Sequence, residues 1–252
     1  MIEKVVAANW KMYKNPEEST AFLKKFLELL PPANQKQVFI FPQTVCLQAV
    51  EDCLAEQNVD ILTGAQNCYT EDEGAFTGEI SPKVLKDMKT DAILIGHSER
   101  RSHFKEDNEL LSKKIKSAQA HNLIPMYCIG ETLDQRKGGK TFDVLKEQLE
   151  VGLKHFDRKG SLIVAYEPVW AIGTGEVATP EQAQEAHAFV RKTLQKITGL
   201  DTYKILYGGS VKPENAQELI SKPDIDGFLV GGASLKPDSL AQICQIALTK
   251  RR

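Results

Sequence analysis

Residues 162–178 read Leu162-Ile163-Val164-Ala165-Tyr166-Glu167-Pro168-Val169-Trp170-Ala171-Ile172-Gly173-Thr174-Gly175-Glu176-Val177-Ala178. The run Leu162, Ile163, Val164, Ala165 has the composition of a strand buried on both faces, as strands of parallel sheets are. Glu167 stands just beyond it and Pro168 blocks continuation of regular structure, so a carboxylate is placed at the rim of a sheet. Val169, Trp170, Ala171 and Ile172 are too apolar for a solvated loop, and Gly173 and Gly175 permit unusual backbone angles or close approach to a ligand. The segment Pro168 to Ala178 therefore either closes over a bound molecule as a lid or covers the edge of its own core. Ala183, Ala186, Val190, Leu194 and Ile197 then recur at helical spacing, completing a strand, a loop and a helix.

That unit recurs along the chain. Short apolar runs occur at Val5 to Ala8, Val38 to Phe41, Asp60 to Leu62, Ala92 to Ile95, Ile124 to Ile129, Leu162 to Tyr166, Lys204 to Tyr207 and Gly227 to Val230, which makes eight candidate strands. Helical patterns lie between them, such as Phe22, Phe26 and Leu29 after the first. Asn15-Pro16-Glu17-Glu18 and Thr179-Pro180-Glu181-Gln182 each offer a capping side chain, a proline at the first helical position and an acid or amide at the third. Strict alternation favours a parallel sheet, either a closed barrel or an open doubly wound one. The polar residues discriminate: Asn9, His97, Glu131, Glu167, Gly208 and Gly231 all fall at or just beyond the carboxyl ends of their runs. In parallel strands those ends share one face. An open sheet gathers its chemistry at a single switch point, whereas only closure brings the first, fourth, sixth, seventh and eighth strands together. The expected fold is a closed (β/α)8 barrel of eight parallel strands, a single domain over residues 1–252.

The composition fits that reading. A chain of 252 residues, 42% hydrophobic and 26% charged with a net charge of -2, has the balance of a globular protein and no global pull toward nucleic acid or an anionic membrane. No apolar stretch approaches the roughly 18 residues of a membrane span, and KVVAANW lacks the pattern of a signal segment, so a cytoplasmic protein is expected. Cys46, Cys53, Cys68, Cys128 and Cys244 form an odd set without CxxC spacing, which fits reduced thiols. Cys128 sits in an apolar strand with no histidine nearby in sequence and reads as buried packing rather than a nucleophile. The segment Gln66 to Glu79 has neither hydrophobic period and is long for a connection, so it is either a loose excursion or an arm; closely set Gly74, Phe76 and Gly78 favour a defined shape.

Five motifs, Asn9-Trp10-Lys11-Met12, Gly96-His97-Ser98-Glu99-Arg100-Arg101, Tyr166 to Gly175, Tyr207-Gly208-Gly209-Ser210-Val211 and Val230-Gly231-Gly232-Ala233-Ser234, together resemble the triosephosphate isomerase family across essentially the whole chain. The resemblance implies a carbonyl moved between adjacent carbons of a phosphorylated triose, without cofactor or metal. Such a reaction removes a proton next to a carbonyl, holds an enediolate and returns a proton to the neighbouring carbon. By resemblance Glu167 is the base and His97 the neutral imidazole that polarises the carbonyl and passes a proton between the two oxygens. Lys11 supplies positive charge, and Asn9, two residues earlier, is expected on the same side of an extended strand. Glu99 resembles the carboxylate that positions the lysine, and Ser98 the residue that holds the glutamate while the lid is open. Gly173, Ser210, Gly231 and Gly232 match the family's phosphate grip, made mostly by backbone N–H groups, with room for a short helix in ASLKPDSL. The lid from Pro168 to Ala178 is implied to keep water from the enediolate phosphate, which otherwise eliminates its phosphate.

The resemblance also implies a homodimer in which the Gln66 to Glu79 arm enters a partner subunit and carries Thr77 toward its site. Two positions depart from the family pattern: Tyr13 where asparagine often follows NWKM, and Glu176 where the lid's second hinge often begins with lysine. The first bears on packing near the dimer contact, the second on the timing of lid motion. Three other readings compete: a Schiff-base aldolase with Lys11 as nucleophile, a metal-dependent epimerase, and a non-catalytic phosphate-binding barrel. A second lysine at the sixth strand end, further strand-end histidines, or loss of Glu167 or His97 are their respective signatures, and the sequence has none of them.

Overall fold

The computed structural model describes residues 3–173, 176–200 and 202–248. Eight parallel strands close into a barrel in sequence order: β1 Val5–Asn9, β2 Val38–Phe41, β3 Leu62–Ala65, β4 Ala92–Ile95, β5 Ile124–Ile129, β6 Ile163–Tyr166, β7 Lys204–Tyr207 and β8 Gly227–Val230. Closure is made by β1 against β8, where Val5 pairs with Gly227 and Ala8 with Val230. Outside run α1 Pro16–Leu29, α2 Leu47–Glu56, α3 Pro82–Asp87, α4 Ser98–His103, α5 Asn108–Ala120, α6 Leu133–Lys137, α7 Thr141–Gly152, α8 Pro180–Thr198, α9 Pro213–Ile220 and α10 Pro237–Leu248.

The two-residue period of the strands divides the core into two layers. Val5, Ala7, Phe39, Phe41, Leu94, Met126, Cys128, Ile163, Ala165 and Leu229 fill the barrel interior. Val6, Ala8, Val38, Ile40, Ile93, Tyr127, Val164 and Tyr166 face outward into the helices, where Phe26, Leu111, Leu145, Val190 and Ile243 meet them. Cys128 is thus barrel packing, and burial pushes its thiol pKa well above the ordinary range. All five cysteines are free and buried.

Both expected caps form as reciprocal boxes, Asn15 with Glu18 and Thr179 with Gln182. Two expectations need correction. The third strand begins two residues later than Asp60 and runs through Thr63, Gly64 and Ala65, the last two of weak strand preference. Packing overrides propensity there: a Cβ on Gly64 would lie 2.0 Å from the Phe41 ring, so the barrel interior demands a glycine. In α1 the buried stripe is Phe22, Leu23 and Phe26, while Leu29, the last residue of the helix, is 36% exposed.

Residues 66–79 hold a defined loop without helix or strand. Tyr69 N–H donates to the Ile80 carbonyl at 2.8 Å, the Phe76 ring packs on Tyr69 with centroids 4.6 Å apart, and Gly74 and Gly78 take φ of 145° and 94°. Thr77 is exposed at its tip.

Candidate active site

The carboxyl ends of the strands open onto a cavity of about 740 Å³, inside the range of small-ligand sites. Asn9, Lys11, His97, Glu167, Ile172, Gly173, Ser210, Gly231 and Gly232 all line it. Closure of the sheet therefore gathers residues spread over more than 200 positions of sequence.

Glu167 is 2% exposed, yet both of its oxygens are engaged. Oε2 accepts the backbone N–H of Ser98 at 2.9 Å, and Oε1 lies 3.1 Å from His97 Nε2. Ser98 therefore holds the glutamate through its main chain rather than its hydroxyl. Gly208 bounds the carboxylate's other side: a Cβ there would stand 2.9 Å from Glu167 Cγ, so the glycine leaves the side chain space to move.

His97 caps α4, with Nδ1 accepting the Glu99 N–H at 3.3 Å. An Nδ1 that accepts leaves the ring proton on Nε2, the nitrogen turned to Glu167 and the cavity. This is the neutral tautomer, set by the first turn of a helix whose N–H groups need acceptors.

Lys11 has φ 52°, a left-handed conformation that costs an L-residue roughly 1–2 kcal/mol. Its N–H donates to Asn9 Oδ1 at 2.9 Å, its carbonyl accepts from Gln66 Nε2 at 2.8 Å, and its Nζ pairs with Glu99 Oε1 at 2.6 Å. Strand alternation therefore does not relate Asn9 to Lys11, because β1 ends at Asn9 and the backbone turns; the Asn9 side chain itself holds the turn. With Oδ1 so occupied, Asn9 offers the cavity its amide N–H groups. Burial raises the Glu99 pKa, but the hydrogen bond from Lys11 and the Lys11 charge outweigh it and hold the carboxyl below the ordinary range.

The expected lid is fixed at both ends. Pro168 is buried, Val169–Ala171 form one 3-10 turn, Ile172 and Gly173 line the cavity, and Gly173 has φ 69°. Thr174 and Gly175 lie outside the described residues; beyond them Glu176 and Val177 are exposed and Ala178 is 2% exposed. One residue here carries more than its sequence suggests. Glu131 is a strand-end carboxylate with no role legible in its surroundings, yet it is fully buried and accepts Tyr166 Oη at 3.1 Å, Trp170 Nε1 at 2.9 Å and Arg136 Nη1 at 3.2 Å. Arg136 also lies 4.7 Å over the Trp170 ring. The available signal was an arginine five residues after a strand-end acid, facing a loop tryptophan.

On the opposite wall Gly231 precedes a 3-10 turn over Gly232–Leu235, the short helix expected there. A Cβ on Gly232 would meet no protein atom within 4 Å, so its absence keeps cavity space open rather than relieving a clash. Tyr13 is 57% exposed and lines the cavity as well, a wider role than packing at a subunit contact. Lys11 is ion-paired at 2.6 Å, an arrangement unlike the free amine that attacks a carbonyl in Schiff-base chemistry.

The fold and this geometry are those of a (β/α)8-barrel enzyme with titratable groups gathered at its strand ends. The sequence model described as triosephosphate isomerase matches residues 4–247. Curated proteins named triosephosphate isomerase are similar along their whole lengths. That of Bdellovibrio bacteriovorus is 49% identical over 245 residues, covering 97% of this chain and 100% of the relative. Those of Geobacter metallireducens and Lacticaseibacillus casei are each 48% identical, covering 95% and 93% of this chain and 96% and 94% of the relatives. The chain belongs to the triosephosphate isomerase family.

Proposed function

We propose that this chain interconverts dihydroxyacetone phosphate and D-glyceraldehyde 3-phosphate, an aldose–ketose isomerisation of glycolysis and gluconeogenesis, with Glu167, His97, Lys11 and Asn9 as its catalytic groups. Glu167 takes the proton from the carbon beside the carbonyl and returns it to the neighbouring carbon. His97 Nε2–H faces the substrate oxygens, stabilising the enediolate and moving a proton between them. Lys11 and the Asn9 amide neutralise the negative charge that develops, with Glu99 fixing the lysine. No atom is gained or lost, since one hydrogen changes carbon and one changes oxygen. The phosphate is gripped by main-chain N–H groups at Gly173, Ser210, Gly231 and Gly232, and the lid keeps water from the intermediate.

The observation that carries this reading is the contact of Glu167 with both His97 Nε2 at 3.1 Å and the Ser98 N–H at 2.9 Å, beside the ion-paired Lys11. A coupled assay of glyceraldehyde 3-phosphate conversion tests it. Glu167→Asp draws the carboxylate back by one methylene, and a displacement of about 1 Å costs about 100-fold in rate. His97→Gln removes the transferable proton and costs about 100-fold or more. Wild-type turnover in both variants would overturn the assignment.

We infer further a cytoplasmic protein forming one barrel domain over residues 1–252 and acting as a homodimer through the arm of residues 66–79, with Thr77 reaching the partner's site. Among the described residues no helix is long and apolar enough to cross a membrane. Dimerisation is supported by exposed apolar side chains on loops after the first four strands: Met12 at 85%, Val45 at 76%, Phe76 at 41% and Phe104 at 65%. Shortening the arm is expected to give a monomer by light scattering with much reduced activity; a fully active dimer would count against it.

A further inference from the structure

The amino ends of the strands open onto a second cavity, of about 450 Å³, on the face opposite the carboxyl-end site. Its floor is the lowest layer of the barrel interior, made by Val5, Phe39, Leu62, Ile124 and Ile163, and Leu62 and Ile124 there are only partly buried. Lys204 stands at the same level on β7, in register with Ile163. Leu206, two residues on, fills the barrel interior, so the strand period turns Lys204 inward as well. A half-buried ammonium at the edge of an apolar layer is costly without a counter-charge. Among the described residues no carboxylate lines this cavity, and Lys204 has no ion-pair partner.

Three further cations stand at the mouth: Arg158 and Lys159 on the loop before β6, and Lys36 on the 3-10 turn before β2. Lys36 pairs with Asp60 at 3.4 Å, whereas Arg158 and Lys159 have no ion-pair partner among the described residues. Their loop is fixed in place. Gln119 on α5 donates to the Asp157 carbonyl at 3.1 Å and accepts the Asp157 N–H at 2.9 Å, and Tyr203 Oη donates to the Arg158 carbonyl at 3.2 Å. The Asp157 carboxylate is engaged by the Lys159 N–H at 3.0 Å. In a chain of net charge -2, a cavity lined by cations alone is a local exception, and cations held at one mouth repel one another until an anion joins them.

We propose that this amino-end cavity binds a nucleoside diphosphate, with the base on the apolar floor and the phosphates between Lys204, Arg158 and Lys159. Three unpaired cations call for more than one negative charge, which separates a diphosphate from a fatty-acid carboxylate. An apolar floor bordered by the Phe39 and Tyr203 rings separates it from a wholly polar ion such as pyrophosphate, and the exposed Ser161 and Thr202 hydroxyls offer hydrogen bonds to the sugar and the base edge. The site shares no residue with the carboxyl-end cavity and holds independently of the isomerase reading.

The test titrates ADP, adenosine, pyrophosphate and dodecanoate calorimetrically into the full chain at low salt, and ADP into Lys204→Met and the Arg158→Ser/Lys159→Ser double variant. ADP is expected to bind with a Kd below about 1 mM, and adenosine and pyrophosphate each about tenfold more weakly or worse. Lys204→Met keeps the length and apolar body of the side chain; it is expected to raise the ADP Kd about fivefold without lowering the melting midpoint, and the double variant to raise it about tenfold. Should Lys204→Met fail to fold, Lys204→Gln carries the same comparison. An azido-adenine analogue of ADP, irradiated on the wild type, is expected to label peptides carrying Tyr203 or residues 158–163. A lysine kept only to bring its head to water would leave the Kd unchanged on Lys204→Met, and that result overturns the proposal. So does the absence of ADP binding at 1 mM, or label confined to peptides of the carboxyl-end cavity. Pyrophosphate binding as tightly as ADP would reduce the site to its cations, and dodecanoate binding more tightly than ADP would make it a lipid-anion site; either overturns the nucleotide assignment.

Discussion

Glu167 is held by one main-chain N–H, that of Ser98, on one oxygen and by the His97 ring on the other. Ser98 is the first residue of α4, and His97 before it has φ -50° and ψ 140°, angles that a following proline accepts. Ser98→Pro therefore deletes the N–H that meets Glu167 Oε2 while leaving the helix start intact. A hydrogen bond to a charged group is worth about 1.5–3 kcal/mol, so the unfolding free energy of Ser98→Pro is expected to fall by that amount, read as a lower urea midpoint with m unchanged. Ser98→Ala keeps the N–H and is expected to lose less than about 0.5 kcal/mol. Equal losses in the two variants would place the grip on the hydroxyl. At this scale residue type and strand-end placement were enough to mark Glu167, His97 and Lys11 in the sequence. What stayed hidden were groups that every residue carries or that act through others: the Ser98 N–H, the left-handed turn at Lys11, and the partners of Glu131, which the sequence marks only as a strand-end acid. Their significance depends on which distant strand end stands opposite, and one segment of sequence does not hold that information.

The lid shows what an element adds to its residues. Glu131 and its partners hold Val169 and Trp170, Ala178 is buried, and between them Ile172 and Gly173 line the cavity. Deleting residues 172–175 shortens the cover without touching Glu167 or its partners. The expected result is a rise in phosphate elimination relative to isomerisation, measured as inorganic phosphate released per triose converted, because water reaches the enediolate. An unchanged ratio would leave the loop as mere edge covering, the alternative its apolar composition allows. Helix starts such as Asn15 and Thr179 are legible because a cap is settled by four adjacent residues. The third strand was less so, since the need for Gly64 comes from Phe41 on a neighbouring strand rather than from local preference.

Closure of the whole barrel has a weak seam, and one side chain holds it. The seventh and eighth strands share a single register pair, Tyr207 with Phe228, whereas the first and eighth share four. Asp226 takes up the difference: its N–H donates to the Ile205 carbonyl at 2.9 Å and its Oδ2 accepts the Ile205 N–H at 2.9 Å. Arg191, reaching in from α8, binds Asp226 Oδ2 at 2.7 Å and Asp224 Oδ1 at 2.6 Å. Asp226 is 3% exposed and Lys4 stands 3.8 Å from its other oxygen, so removing the guanidinium takes the nearer of two cations from a buried carboxylate, and breaking such a pair costs up to about 3–5 kcal/mol. Arg191→Met is therefore expected to lose about 3 kcal/mol in urea unfolding at neutral pH. The loss also depends on acidity. Burial raises the Asp224 pKa, but hydrogen bonds from Gln184 and Arg191 outweigh it and leave the folded value below the unfolded one. A depressed carboxylate stabilises above its unfolded pKa, about 3.9, and that stability disappears as pH falls through the folded value. The gap between wild type and Arg191→Met should thus be full at pH 7 and narrow below about pH 4, as Asp224 takes up its proton with or without the arginine. A gap that is small at pH 7, or that widens in acid, would mean that strand pairing alone closes the barrel. The strands that carry Glu167, His97, Ser210 and Gly231 to the cavity lie on either side of this seam, so slackening it is also expected to lower turnover before the chain unfolds.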